Sequence, residues 1–170
     1  IYRTCHCRSR MNKLYRSETE GRIALLAQDN DHRTLAIWGA ECAERVLPMF
    51  EAERPGDGRP RAAIGTLREF VASGRFSMKV IREASLTAHA AAREVPDGPA
   101  CYAARAAGQA VAAAHVPAHS RAAALYAARA IRALHDEARA ESEREWQHRR
   151  LVELTADRGD AEVVRLFRVR

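Results

Sequence analysis

Of the 50 residues from Ala84 to Ala133, 22 are alanine. Alanine loses no side-chain entropy on entering a helix and is the strongest helix former. The stretch has little glycine and no alternating β-branched run, so it does not read as strand. Small side chains also let helix axes approach closely. The composition therefore predicts an all-α protein with an alanine-rich central helix pair. Aromatics make up only 6% of the 170 residues, so the core must be built from many small contacts. Hydrophobic content is 47%, which decides against wholesale disorder.

Periodicity and breakers set the expected elements. A first helix runs from about residue 16 to 28, and Asp29-Asn30-Asp31 caps the next. That second helix covers about 32–53, with Leu35, Trp38, Cys42, Val46, Met49 and Phe50 recurring at threes and fours on one face. Pro48 falls inside the pattern and predicts a kink or a division. Residues 54–60 form a Pro/Gly-rich loop, and a third helix follows with Pro60 in its first turn and Gly74 as its stop. Further helices are expected over about 77–95, 99–115, 118–140 and 142–158, with Gly159 ending the last. The sum is about seven mostly antiparallel helices in a single-domain bundle or stack. Residues 13–158 form the helical domain, with an N-terminal tail at 1–12 and a C-terminal tail at 159–170. Met11 reads as a natural start, which sets residues 1–10 apart. Tyr-Ala-Ala-Arg-Ala occurs at both 102–106 and 126–130, but five residues in so biased a composition are weak evidence of duplication.

The formal charge is +6. Residues 1–20 carry five basic and two acidic groups, and residues 165–170 carry three arginines, so each end contributes +3. Residues 21–164 hold 20 basic and 20 acidic side chains, and the body is neutral. The basic balance is thus a property of the ends, and no specific nucleic-acid binding is expected. No 18-residue uncharged apolar run is present, so no membrane span is expected. The first 20 residues carry no apolar signal region. The four cysteines, at 5, 7, 42 and 101, do not form a disulfide framework. The expected location is a reducing cytoplasm.

No motif specifies a reaction. Cys5-His6-Cys7 has ligand-type residues, but adjacent positions do not converge on one metal and no second pair stands at zinc-finger spacing. His115 and His119 are four apart, yet Pro117 between them breaks the helical geometry that would align them. Their ordinary role would be to line a helix–helix turn. His89, among alanines, is ordinarily a groove or core histidine. Cys42 and Cys101 read as small buried hydrophobes. Glu41, Glu44 and Arg45 lie within one turn, where charges opposite an apolar face usually meet water. No cofactor and no metal site are expected.

The stretch from His32 to Glu51, with its Trp38, Cys42, Pro48 and Phe50, resembles the opening helix of a bacterial family frequent in actinobacteria: the immunity proteins of toxin–immunity systems. The likeness continues through Arg59-Pro60-Arg61-Ala62-Ala63-Ile64 and resumes at Ala88-His89-Ala90-Ala91-Ala92-Arg93. It returns at Ala103–Ala110, His115 and Glu145-Trp146-Gln147, and covers roughly residues 12–155. The resemblance implies a small helical protein that binds a cognate toxin and blocks it, and is not an enzyme. Trp, Tyr and Arg dominate such contacts. The alternative is a small-ligand-binding protein or enzyme whose pocket between helices is lined by His89, His115 and His119, with Glu41 nearby. Convergence of those histidines in a closed concave pocket would favour it. The candidate binding residues are accordingly Trp38, Glu41, His89, Arg93, Tyr102, His115, His119 and Tyr126, although Trp38 on its apolar face is the one most readily absorbed by the core. The alanine-rich faces suit packing within one chain or across a homodimer equally well.

Overall fold

The computed structural model describes residues 17–167, with side chains described as far as Arg158. Cys5-His6-Cys7 and the basic ends lie outside the side chains so described. Among the described residues there are seven helices and no strand: α1 (Glu18–Gln28), α2 (His32–Glu53), α3 (Arg59–Ser73), α4 (Met78–Arg93), α5 (Pro99–Ala112), α6 (His119–Leu134) and α7 (Glu137–Phe167).

Local chemistry fixes the ends. Ser17, Asp31 and Ser77 accept from the backbone N–H groups of Glu20, Thr34 and Val80, so α1, α2 and α4 each begin at a side-chain cap. Pro60 and Pro99 sit in the first turns of α3 and α5, where a missing N–H costs nothing. Gly74 closes α3 at φ +68°, a left-handed conformation that glycine adopts without a Cβ clash. Pro48 does not divide α2, which is continuous across it. Two expected boundaries move. α6 stops at Leu134 rather than near residue 140, because Asp136 accepts from Arg139 N at 2.8 Å and caps a new helix. That helix, α7, then passes through Gly159 to Phe167.

The alanine-rich α5 is the hub, packing against α2, α3, α4 and α6. Ala103, Ala104, Ala106, Ala107 and Ala110 are fully buried around it, while the stripe of Tyr102, Arg105, Gln109 and Ala112 is half-buried. Glycine permits the closest approaches. A Cβ on Gly39 of α2 would lie 3.0 Å from Cα and Cβ of Ser120 on α6. Larger side chains fill the remainder: Trp38, Val46 and Phe50 from α2, Leu67 from α3 and Leu151 from α7 are all enclosed.

α7 lies against α1, α2 and α6 and is fixed by polar contacts. Trp38 Nε1 donates to the Gln147 carbonyl at 2.8 Å, and Gln147 Nε2 donates to the Ala124 carbonyl at 3.1 Å. Arg144 and Glu20 form a buried ion pair at 2.8 Å that ties α7 to α1. Arg144 also reaches Glu137 and Glu141, so its charge is amply compensated.

Candidate functional site

The three histidines singled out from sequence line one cleft, of about 480 Å³, between α4 and the α5–α6 turn. One wall is a face of α4: Met78, Ile81, Arg82, Ser85, Leu86 and His89 recur at spacings of three and four. The opposite wall is Gln109 and Ala112 of α5, His115 of the turn and His119 at the start of α6. Met78, Arg82, Leu86 and His115 are exposed on the rim, so the site is a cleft rather than a sealed cavity.

His89 is held against α5 by the lack of a side chain at Gly108, where a Cβ would come within 2.9 Å of the ring. Ser85 fixes the same crossing by donating Oγ–H to the Gly108 carbonyl at 2.9 Å. The Nδ1 of His89 is buried and has no hydrogen-bond partner. Burial, and then the nearby charges of Arg105, Arg93 and His119, push the His89 pKa down. His119 Nδ1 donates to Gln109 Oε1 at 2.7 Å. Burial, and then His115, lower its pKa as well. Both shifts favour the neutral ring. Among the described residues no group of three or more His, Cys, Asp or Glu is placed to hold a metal ion, and the cleft presents imidazole groups with hydrogen-bonding capacity.

Glu41 does not join this cleft. It pairs with Arg150 of α7 through bonds of 2.7 and 3.1 Å. Its neighbours are likewise engaged, since Glu44 holds Arg68 at 2.6 Å and Arg45 holds the buried Glu143 at 2.9 Å. Arg45 also lies 3.9 Å above the Trp146 ring. The expected solvated charges of α2 are instead rungs between helices. Trp38 has no accessible surface, so it is a packing residue and offers no contact to a partner. Cys42 and Cys101 are both buried, and burial pushes the Cys42 thiol pKa well up, with Glu143 and Glu41 adding to the rise.

Tyr102 and Tyr126 come together on another face. Their rings stack with centroids 6.4 Å apart, Tyr102 donates to Asp97 at 3.0 Å, and Arg129 lies over Tyr126 at 5.4 Å. A groove of about 550 Å³ runs between Pro48, Met49, the 96–100 segment and Leu134. Arg93 is exposed near His89.

Sequence reasoning missed Arg82, Ser85, Leu86, Gln109 and Ala112. The signal was the row at threes and fours on α4 ending at His89. Nothing in the sequence revealed that the α5–α6 turn folds back onto that row.

Among the described residues, no helix is long and apolar enough to cross a membrane. The model of the family described as Imm-5 like putative immunity protein matches residues 25–154. No curated protein and no solved structure matches the chain.

Proposed function

Because the chain belongs to the Imm-5 like immunity protein family, we propose that it protects its producer in the cytoplasm by binding a cognate bacterial toxin and covering the toxin's working surface. The family match carries this reading. It spans residues 25–154 and so takes in the packed body from α1 into α7, while leaving both ends aside. A cross-braced body suits occlusion, because a rigid surface loses little conformational freedom on binding. Tyr102 and Tyr126 supply the contact surface in this reading, being half-buried aromatic side chains of the type that dominates protein interfaces.

Co-expression with a candidate toxin taken from the neighbouring genes tests it. Cells producing the pair should grow where cells producing the toxin alone do not, and the purified proteins should elute as one complex. Tyr126→Ala should weaken the complex about tenfold or more, the usual result of truncating a central aromatic contact. A wild-type chain that neither binds nor protects would overturn the reading.

One observation favours a second reading, a small-ligand pocket between helices. His89, His115 and His119 line a single cleft, although 26 residues separate the first two in sequence.

A further inference from the structure

Charge is distributed unevenly over a body that is neutral in sum. Between Gly98 and His135 there is no Asp or Glu, while Arg105, Arg121, Arg129 and Arg132 all fall there. The carboxylates of α1, α2 and α7 are largely taken up by arginines, as in Glu20–Arg144, Glu41–Arg150, Glu44–Arg68 and Glu143–Arg45. The cleft lies on the acid-poor side, and no carboxylate lines it. Arg82 on its rim, together with Arg93 and Arg105 beside His89, has no carboxylate partner among the described residues.

We propose that this cleft binds a small organic carboxylate with an apolar stem. The head group is held by Arg82 and the imidazoles of His89, His115 and His119, and the stem lies on Met78, Ile81 and Leu86.

Four observations support the assignment. The volume, about 480 Å³, falls among ordinary small-ligand pockets. Two of the three apolar side chains are left uncovered, Leu86 at 55% and Met78 at 42% exposure, which a bound stem would remedy, while Ile81 is buried. The buried Nδ1 of His89 lacks a partner, so its ring is a polar group with unmet hydrogen-bonding capacity at the site. The electrostatics select the sign of the ligand. The charged groups acting on His89 are Arg105 of α5, Arg93 of its own helix and His119, and none is an acid. An anion would find the guanidinium of Arg82 and no competing carboxylate, with the imidazoles able to donate once protonated, whereas a cation would find no counter-charge. The cavity also tightens the sign of the pH dependence. Burial and neighbouring basic groups disfavour the protonated forms of His89 and His119, and an adjacent carboxylate favours them, so binding takes up protons and strengthens as pH falls.

The inference deepens the pocket reading and is independent of toxin binding, so either can fail alone. The test uses the full chain and two six-carbon probes, sodium hexanoate and hexan-1-ol, followed by the imidazole C–H resonances in a proton–carbon correlation spectrum. Hexanoate in the millimolar range should shift the ring signals of His89, His115 and His119 saturably while leaving His32, His135 and His148 in place. Hexan-1-ol should bind about tenfold more weakly, the difference a single charge-assisted hydrogen bond makes. Arg82→Gln, at an exposed position, should produce a similar loss for hexanoate and none for hexan-1-ol. Ala112→Leu, which fills the cleft without altering charge, should abolish binding of both while the far-UV circular dichroism stays unchanged. Equal affinity for the two probes, hexanoate binding that survives both substitutions, or no saturable shift of these rings would overturn the proposal.

Discussion

A tight contact between α2 and α6, helices distant in sequence, depends on the absence of a side chain at Gly39. A methyl group there would stand 3.0 Å from both Cα and Cβ of Ser120, and Ser120 has no room to retreat because it is fully buried and its Oγ is held to the Pro117 carbonyl at 2.7 Å. Helix propensity alone would favour alanine by about 1 kcal/mol. Overpacking of a tight core contact costs about 1–3 kcal/mol. Since the obstacle is backbone, the steric cost should prevail, and Gly39→Ala should lower the urea unfolding free energy by about 1 kcal/mol net. A gain would mean that α2 and α6 can separate freely. Neither this glycine nor Gly108 was legible in the sequence, because what a glycine admits is set by a partner on another helix. Trp38 was legible as core through its place on an apolar stripe, and the structure adds only the carbonyl that satisfies its N–H. The cleft histidines were legible as groove residues one by one. Their convergence was not, since no local spacing links residue 89 to residues 115 and 119.

At the scale of the helix, most boundaries written in glycine, proline or a side-chain cap were read well, and two were not. α2 was expected over 32–53 and spans His32–Glu53, because Asp31 announces its start and the Pro55-Gly56 loop its end. The junction of α6 and α7 carries a cap residue, but no glycine or proline sets it off. Leu134-His135-Asp136-Glu137 looks helical by composition, and the break is made by Asp136 turning its carboxylate onto Arg139 N. The opposite error occurred at Gly159, where a glycine without the left-handed turn seen at Gly74 costs a helix only about 1 kcal/mol and does not end it. The cap makes a sharp test. Asp136→Ala should destabilise the protein by about 1 kcal/mol, the usual value of an N-cap, read as a lowered Tm. Were α6 and α7 one continuous helix, the same substitution would be neutral or stabilising, since alanine is the better interior residue.

Over the whole molecule, the sequence established that the body is neutral but not that its charges are sorted. Ion pairs brace the side formed by α1, α2, α3 and α7, while the α5–α6 hairpin carries arginine and histidine without acid. Acid sensitivity follows in two steps. The folded pKa values of His89, His119 and His148 are depressed, in each case chiefly by burial. Below the unfolded value of about 6.5, the unfolded chain takes up protons that the folded one resists, so stability falls as pH drops. The carboxylates act lower on the scale. Arg61 holds Glu51, and Arg59 holds Asp57 and Glu94, below the usual carboxylate range. Their contribution is intact above about pH 4.5 and is lost as pH falls through the folded values. Urea unfolding of the wild-type chain should therefore show a first decline between about pH 7.5 and pH 5.5, before any carboxylate titrates. His89→Gln removes the ring whose buried Nδ1 has no partner and whose neighbours Arg105 and Arg93 oppose its charge. It should shrink that first decline and leave the second unchanged. A flat wild-type profile over the histidine range, or an equal decline in the variant, would show that His89 accepts its proton in the folded state without penalty, and that the positive field drawn here around the cleft is too weak to matter.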